Sequence, residues 1–217
     1  MESREQQDLL RRGAAELGID LSEAQIEACL VYIAELRKWN RKINLTAIAD
    51  ERDIIIKHFL DSFSYKNGFT PLDGMSLLDM GSGAGFPALP LRIILPRLVV
   101  TLVESVSKKA AFLRHMIRTL KLSGAEVWDK RLADLPESAH FQYDIVTARA
   151  FASMEAVLAE GSRFLKKDGL MVLSRGAEEE IEDKELDAEN MSVSTRIDMI
   201  LPLSDYRRAL WVFRRKG

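Results

Sequence analysis

The stretch Leu77-Leu78-Asp79-Met80-Gly81-Ser82-Gly83-Ala84-Gly85-Phe86-Pro87 carries the densest chemical information in the chain. An apolar run that breaks into alternating glycines and resumes as a helix turns tightly, lets a ligand approach the backbone and aims free N–H groups at it. The spacing is G-x-G-x-G, not the dinucleotide G-x-G-x-x-G, and no Gly-Lys-Ser/Thr follows to make a P-loop. Glu104, 25 residues beyond Asp79, closes the next apolar run, where a carboxylate accepts hydrogen bonds from ribose hydroxyls. The two features together suit a nucleoside-bearing ligand without a long phosphate chain. Other chemistries find little support. Cys29, the sole cysteine, falls on an apolar helical face and reads as a buried small hydrophobe. His58, His115 and His140 stand singly, so no metal site is expected, and no Ser-His-Asp arrangement suggests itself.

The elements that must position these residues follow from periodicity. Ser3–Gln6 and Ser22–Gln25 both fit the S-x-x-Q capping box. After the second, Ile26, Cys29, Leu30, Ile33, Leu36 and Trp39 recur at helical spacing, and a further helix is expected from Asp53 to about Tyr65. From residue 75 short apolar runs alternate with helices. Strands are expected over Met75–Met80, Leu98–Glu104, Ala125–Trp128, Tyr143–Thr147 and Leu170–Leu173, with helices over Phe86–Leu95, Ser107–Lys121 and Ser153–Leu165. Val193–Ile200 and Ala209–Phe213 would pair as an antiparallel ending. The expected fold is α/β: a mostly parallel, doubly wound sheet of seven strands with an antiparallel C-terminal strand. The expected division is a helical extension over residues 1–70 and one ligand-binding unit over residues 71–217.

Composition sets the outer limits. With 217 residues, 47% apolar and 29% charged, the chain reads as an ordinary globular protein. Its longest apolar stretch, Ala88 to Val103, is broken by Pro90, Arg92, Pro96 and Arg97, so no membrane association is expected. The charged opening MESREQQDLLRRG lacks the apolar core of a secretory signal, and the lone cysteine suits a reducing compartment, so a cytoplasmic location is expected. The net charge of −2 is unevenly spread: residues 178–189 carry −7, which leaves +5 on the remainder. Ser107–Lys121, with Lys108 and Lys109, holds five cations and no acid, as does Tyr206–Gly217, with Arg207 and Arg208. Arg37, Lys38, Arg41 and Lys42 form a third cluster. Such patches are either solvated faces or tracks for a phosphate backbone.

In order and at this spacing, the glycine loop and the acid after it resemble the S-adenosylmethionine pocket of class I methyltransferases. The acceptor is read by elimination. The Asn/Asp-Pro-Pro-aromatic motif common in amine methylation would follow the fourth strand, where this chain has Thr147-Ala148-Arg149-Ala150-Phe151. Pyrimidine carbon methylation needs a cysteine nucleophile, and Cys29 lies on the wrong segment. An atom with its own lone pair, such as guanine N7, needs neither a base nor a nucleophile and rests on alignment with the methyl group. This permits N7 chemistry without singling it out.

Longer motifs narrow the reading. Trp39-Asn40-Arg41-Lys42-Ile43-Asn44-Leu45-Thr46, then His58-Phe59-Leu60-Asp61-Ser62, then LLDMGSGAGFPALPLRI resemble the bacterial 16S rRNA guanine-N7 methyltransferases, also called glucose-inhibited division protein B. Leu113, Arg149-Ala150-Phe151-Ala152 and the basic closing strand agree, and the likeness covers about residues 20 to 215. The resemblance implies that Gly81, Gly83, Gly85 and Phe86 form the cofactor loop, that Glu104 takes the ribose, and that Leu132 and Ala133 flank the adenine. It places Arg149 at the meeting of cofactor and acceptor, as a positioning group with no general base expected. Asn44, His58 and Asp61 would close the pocket or meet RNA, with helix capping and packing as the alternative. Lys108, Lys109, Arg175, Arg207 and Arg208 are the candidate RNA contacts, and Trp39, Phe86 or Phe151 could stack on the base. Two positions depart from the family pattern: Ala88 replaces a usual glycine, and Ser174-Arg175-Gly176 replaces a usual Lys-Gly. The expected partner is 16S rRNA or the small ribosomal subunit, engaged by a monomer. A small-molecule methyltransferase of the same fold and a non-catalytic cofactor- and RNA-binding module are the competing readings.

Overall fold

Leu77 and Leu78 are adjacent, yet each belongs to a different apolar layer, because side chains alternate across a strand. The computed structural model describes residue 1 and residues 3–149, 153–178 and 190–216. Its strands are β1 (Ser76–Met80), β2 (Val99–Val103), β3 (Ala125–Trp128), β4 (Tyr143–Ala148), β5 (Leu165–Arg175), β6 (Met191–Ile200) and β7 (Arg207–Arg215). They form one sheet in the order β3-β2-β1-β4-β5-β7-β6. The first five run parallel, and β7 runs antiparallel to both β5 and β6, which is the architecture expected.

The layer on Leu77's side also holds Val100, Leu102, Ile145, Val172 and Leu210 of the sheet. The N-terminal helices α1 (Ser3–Glu16) and α2 (Glu23–Ile43) bury Leu10, Ile26, Tyr32, Ile33 and Leu36 there, together with α5 (Ala88–Ile94) and α6 (Ser107–Thr119). The other layer takes Leu78, Met80, Val146 and Met171 from the sheet and Val157 and Leu158 from α7 (Met154–Ser162). No helix among the described residues is long and apolar enough to cross a membrane.

Ser22 caps α2 as its spacing predicts: Ser22 Oγ accepts from Gln25 N (3.3 Å), and Ser22 N donates to Gln25 Oε1 (2.9 Å). Helix α1 starts on Ser3 itself. The helix expected from Asp53 to Tyr65 is longer and less regular. It runs as α3 (Glu51–Ile54), a wider π turn (Ile55–Leu60), α4 (Asp61–Ser64) and a final tight turn (Tyr65–Gly68). Ile54, Ile55, Ile56, His58, Phe59 and Leu60 are all buried along this stretch, and the wider turn lies within it. The helix expected over Ser153–Leu165 stops at Ser162. Leu165 instead pairs with Tyr143, and Asp168 adopts φ +60°, which a continuing helix excludes. The helix expected from Phe86 begins at Ala88.

Candidate functional site

Strand β1 has β2 on one side and β4 on the other, so the chain leaves the sheet's carboxyl edge in opposite directions there and opens a crevice. The residues just past the three strand ends, Gly81, Glu104 and Arg149, face that crevice. Two cavities occupy it, and Gly81 lines both. One, of about 350 Å³, is walled by Val103, Ser105, Leu132 and Ala133. The other, of about 420 Å³, is walled by the loop Gly81–Ala84, Phe86, Glu104, Lys109, Arg149, His58 and the segment Leu45–Ile48.

Glu104 is 5% exposed and ties the loop to the next helix: Oε2 accepts from Gly83 N (2.8 Å), and Oε1 accepts from Val106 N (2.7 Å). Each carboxylate oxygen keeps a second lone pair for a ligand hydroxyl. Gly83 holds φ +56°, which turns its N–H back toward that carboxylate. Gly85 is different. A Cβ there would stand 2.4 Å from Tyr32 Oη and 2.8 Å from Leu89 Cδ1, and the residue does not line the cavity. Tyr32 Oη donates to Ala84 O (2.6 Å), so Gly85 makes room for α2 to lock the loop from behind.

Below the loop, Asp79 is fully buried and neither carboxyl oxygen has a partner among the described residues. Burial pushes this carboxyl well above the ordinary aspartate range. Asp79 was not among the expected site residues, although an acid near the end of an apolar strand, just before the glycines, is a readable signal.

Phe86 stacks against Tyr32 (5.2 Å between centroids) and against His58 (4.5 Å), with planes within 14° and 13° of parallel. His58 Nε2 lies 2.8 Å from Thr46 Oγ1. Burial, and then the nearby charge of Arg149, push the imidazole down to about 3, so His58 is neutral. Thr46 is held in turn by Asn40, whose side chain donates to Thr46 O and accepts from Thr46 N, both at 2.9 Å. Asn40 and Thr46 therefore set the cavity wall, although the motif they share drew attention to Asn44. Asn44 itself terminates α2 in the left-handed conformation (φ +48°), is exposed and stands outside the cavity.

Arg149 Nη2 donates to the carbonyl of Lys57 and lies 3.4 Å from Asp61 Oδ2, while Nη1 is buried without a partner among the described residues. Asp61 is 2% exposed, which keeps it from the surface. Lys109 lines the cavity and Lys108 is exposed beside it. Arg207 and Arg208 lie on β7 and line a separate groove, and Arg175 ends β5 opposite Ala209. Trp39 is half-buried against Phe112 and His115. Phe151 lies outside the described residues. Cys29 is fully buried, and burial pushes its thiol up. No group of metal-ligating side chains occurs among the described residues.

A family model described as GidB, rRNA small subunit methyltransferase G, matches residues 25–210. The ribosomal RNA small subunit methyltransferase G of Geobacter metallireducens is 40% identical over 217 residues, covering 98% of each chain. That of Roseiflexus sp. strain RS-1 is 50% identical over 157 residues, 70% of this chain and 65% of its own. Among solved structures, a SAM dependent methyltransferase from Aquifex aeolicus superimposes with a TM-score of 0.57 at 15% identity, over 74% of this chain and 92% of that one, a likeness of fold. With the family model spanning most of its length and a near full-length relative at this identity, the chain belongs to the rRNA small subunit methyltransferase G family.

Proposed function

We infer that this protein methylates N7 of a guanine in the 16S rRNA of the small ribosomal subunit, with S-adenosylmethionine as methyl donor. The observation that carries the reading is the family match over residues 25–210, laid on a chain whose matched part contains the crevice. The residues present fit the cofactor. Gly81, Gly83 and Phe86 offer a close backbone approach, and Glu104 has lone pairs free for ribose hydroxyls. Leu132 and Ala133 form an apolar wall for the adenine. The Asp79 carboxyl beneath the loop keeps hydrogen-bonding capacity that is unused among the described residues. Gly85 serves the loop through its fit against Tyr32.

When bound, the cofactor would supply a sulfonium methyl group, which a lone pair on the acceptor attacks without prior deprotonation while the neutral thioether leaves. The cavity walls agree with that need. His58 is neutral and held by Thr46, so it acts as a fixed apolar-faced plate rather than a proton shuttle. Arg149 lines the cavity with an Nη1 that has no partner among the described residues, and guanine presents O6 beside N7, so Arg149 orients the base through O6 and leaves N7 free. Lys108, Lys109, Arg175, Arg207 and Arg208 supply sequence-independent attraction for the RNA backbone. Residues 1–70 act as an extension packed on the 71–217 methyltransferase unit, and the protein works as a monomer in the cytoplasm.

The test is methyl transfer from labelled S-adenosylmethionine to small subunits from a strain lacking this gene. Borohydride and aniline then cleave the RNA at any 7-methylguanosine. One labelled, cleavable guanine is the expected result. Label without cleavage would discard N7, and no label with cofactor binding intact would discard the RNA acceptor.

A further inference from the structure

We propose that Asp61 is a positioning residue that couples an RNA phosphate in the groove beside β6 and β7 to the aim of Arg149 in the cavity. The proposal rests on the function inferred above and extends it to the regulation of that site.

Asp61 opens α4, is 2% exposed, and touches two guanidinium groups from different places. Oδ2 lies 3.4 Å from Arg149 Nη2, and Oδ1 lies 3.7 Å from Arg208 Nε. Ser174 Oγ donates to Oδ1 at 2.9 Å and fixes the carboxylate's orientation. Arg149 lines the crevice at the strand ends. Arg208 lines a groove of about 480 Å³ with Arg196 and Arg207, and with the carboxylates of Glu178 and Asp198, which confine an anion to the arginine side. Within that groove Arg196 is already committed, stacked 4.8 Å over Trp211 and paired with Asp198 at 3.0 Å. Arg207 is exposed, and Arg208 is half-buried at the inner end, against Asp61.

One buried carboxylate therefore divides its charge between two cations. A guanidinium binds phosphate through paired N–H donors, so a backbone phosphate in the groove competes with Asp61 for Arg208. Asp61 is then left to Arg149, and in a site shielded from water that pairing tightens. Among the described residues Arg149 is anchored by Asp61 and the Lys57 carbonyl, and both fix where its guanidinium points. RNA bound at the groove thus stiffens Arg149, which lines the cavity. By linkage, occupancy of the cavity strengthens RNA binding by the same factor.

The experiment uses the full chain and two readouts. Calorimetry measures S-adenosylhomocysteine binding with and without a guanine-free oligoribonucleotide, and kinetics measure methyl transfer to small subunits. In the parent protein the oligoribonucleotide should tighten S-adenosylhomocysteine binding by about fivefold. In Asp61→Asn that factor should fall to about one, and kcat should fall by about tenfold or more while KM for subunits moves less than about threefold. A purely structural Asp61 would lower the melting temperature yet leave the coupling factor and the kcat of the folded fraction unchanged, which would overturn the proposal. Arg208→Gln guards against a misfolded first variant. It should abolish the tightening, and its persistence there would equally refute the coupling. A parent protein that methylates subunits without any tightening refutes the coupling alone, whereas one that never methylates RNA refutes the function and the coupling together.

Discussion

At the scale of single residues, the cavity is defined by groups whose hydrogen-bonding capacity is only partly used. Glu104 already binds two backbone N–H groups, so its loss both removes a ribose acceptor and loosens the loop. Glu104→Ala should weaken S-adenosylhomocysteine binding by about tenfold to a hundredfold, the range for a hydrogen bond to a charged group, as read by calorimetry. Unchanged affinity would return Glu104 to a purely structural place. Asp79 carries the opposite balance. Its folded carboxyl titrates above the 3.8 of an ordinary aspartate, so above that pH the unfolded chain sheds a proton that the fold retains. Stability therefore falls as pH rises through this window. Asp79→Asn removes that loss, and should raise the melting temperature of the ligand-free protein near neutral pH while weakening its affinity for S-adenosylhomocysteine. A variant that melts no higher would show the carboxyl to be satisfied. His58 titrates in the other sense: it is pushed down to about 3 when folded, against 6.5 when free. Between these values the unfolded chain takes up a proton that the fold excludes, so stability is lost as pH falls. From about pH 7 to about pH 5 the loss from this residue should reach about 2 kcal/mol. Urea unfolding of His58→Phe, compared with the parent at both values, should show that share removed.

At the scale of elements, the cavity depends on two clamps that act from the α2 side. Asn40 grips Thr46 by both backbone groups, and Thr46 grips His58. Asn40→Ala should release the Leu45–Ala49 segment. Faster amide exchange there, with α2 still protected, is the expected signature, and unchanged exchange would show another restraint. The second clamp is the fit of Gly85 beneath Tyr32. Gly85→Ala should destabilise the protein by about 3 kcal/mol, since φ +87° is strained for a side chain and the new methyl would overlap Tyr32 and Leu89. The helix–strand alternation that carries these clamps was legible, because strand runs and caps are local patterns. The π turn at Ile55–Leu60 was not, since a single wider turn leaves no distinct periodicity in the sequence. The early end of α7 was hidden for a different reason: pairing of Leu165 with Tyr143 belongs to the sheet rather than to the helix's own sequence.

At the scale of the whole molecule, charge separation matters more than the net −2. Lys109 lines the cavity with Lys108 exposed next to it in sequence, and Arg207 and Arg208 line the groove. If both patches touch phosphate, RNA affinity should fall steeply with salt, and Lys108→Ala should reduce the slope of log affinity against log salt by about one. A slope unaltered in that variant would leave Lys108 as a solvated surface charge.

The strand–glycine–helix turn, the acid after the second strand, the mostly parallel sheet and the family likeness are all legible in the residue order. Each of these rests on residues near one another in the chain, where backbone sterics and apolar period decide the outcome. Which polar groups meet is settled by packing. Asp61 and Ser174 are separated by 113 residues, and Lys57 and Arg149 by 92. Their contacts exist because two segments pack into one low-dielectric interior, and there an unpaired charge is costly enough to select its partners. The same packing makes Asp61 a buried joint between two arginines and turns Asn44 out to cap a helix. It also isolates the carboxyl of Asp79 beneath the loop.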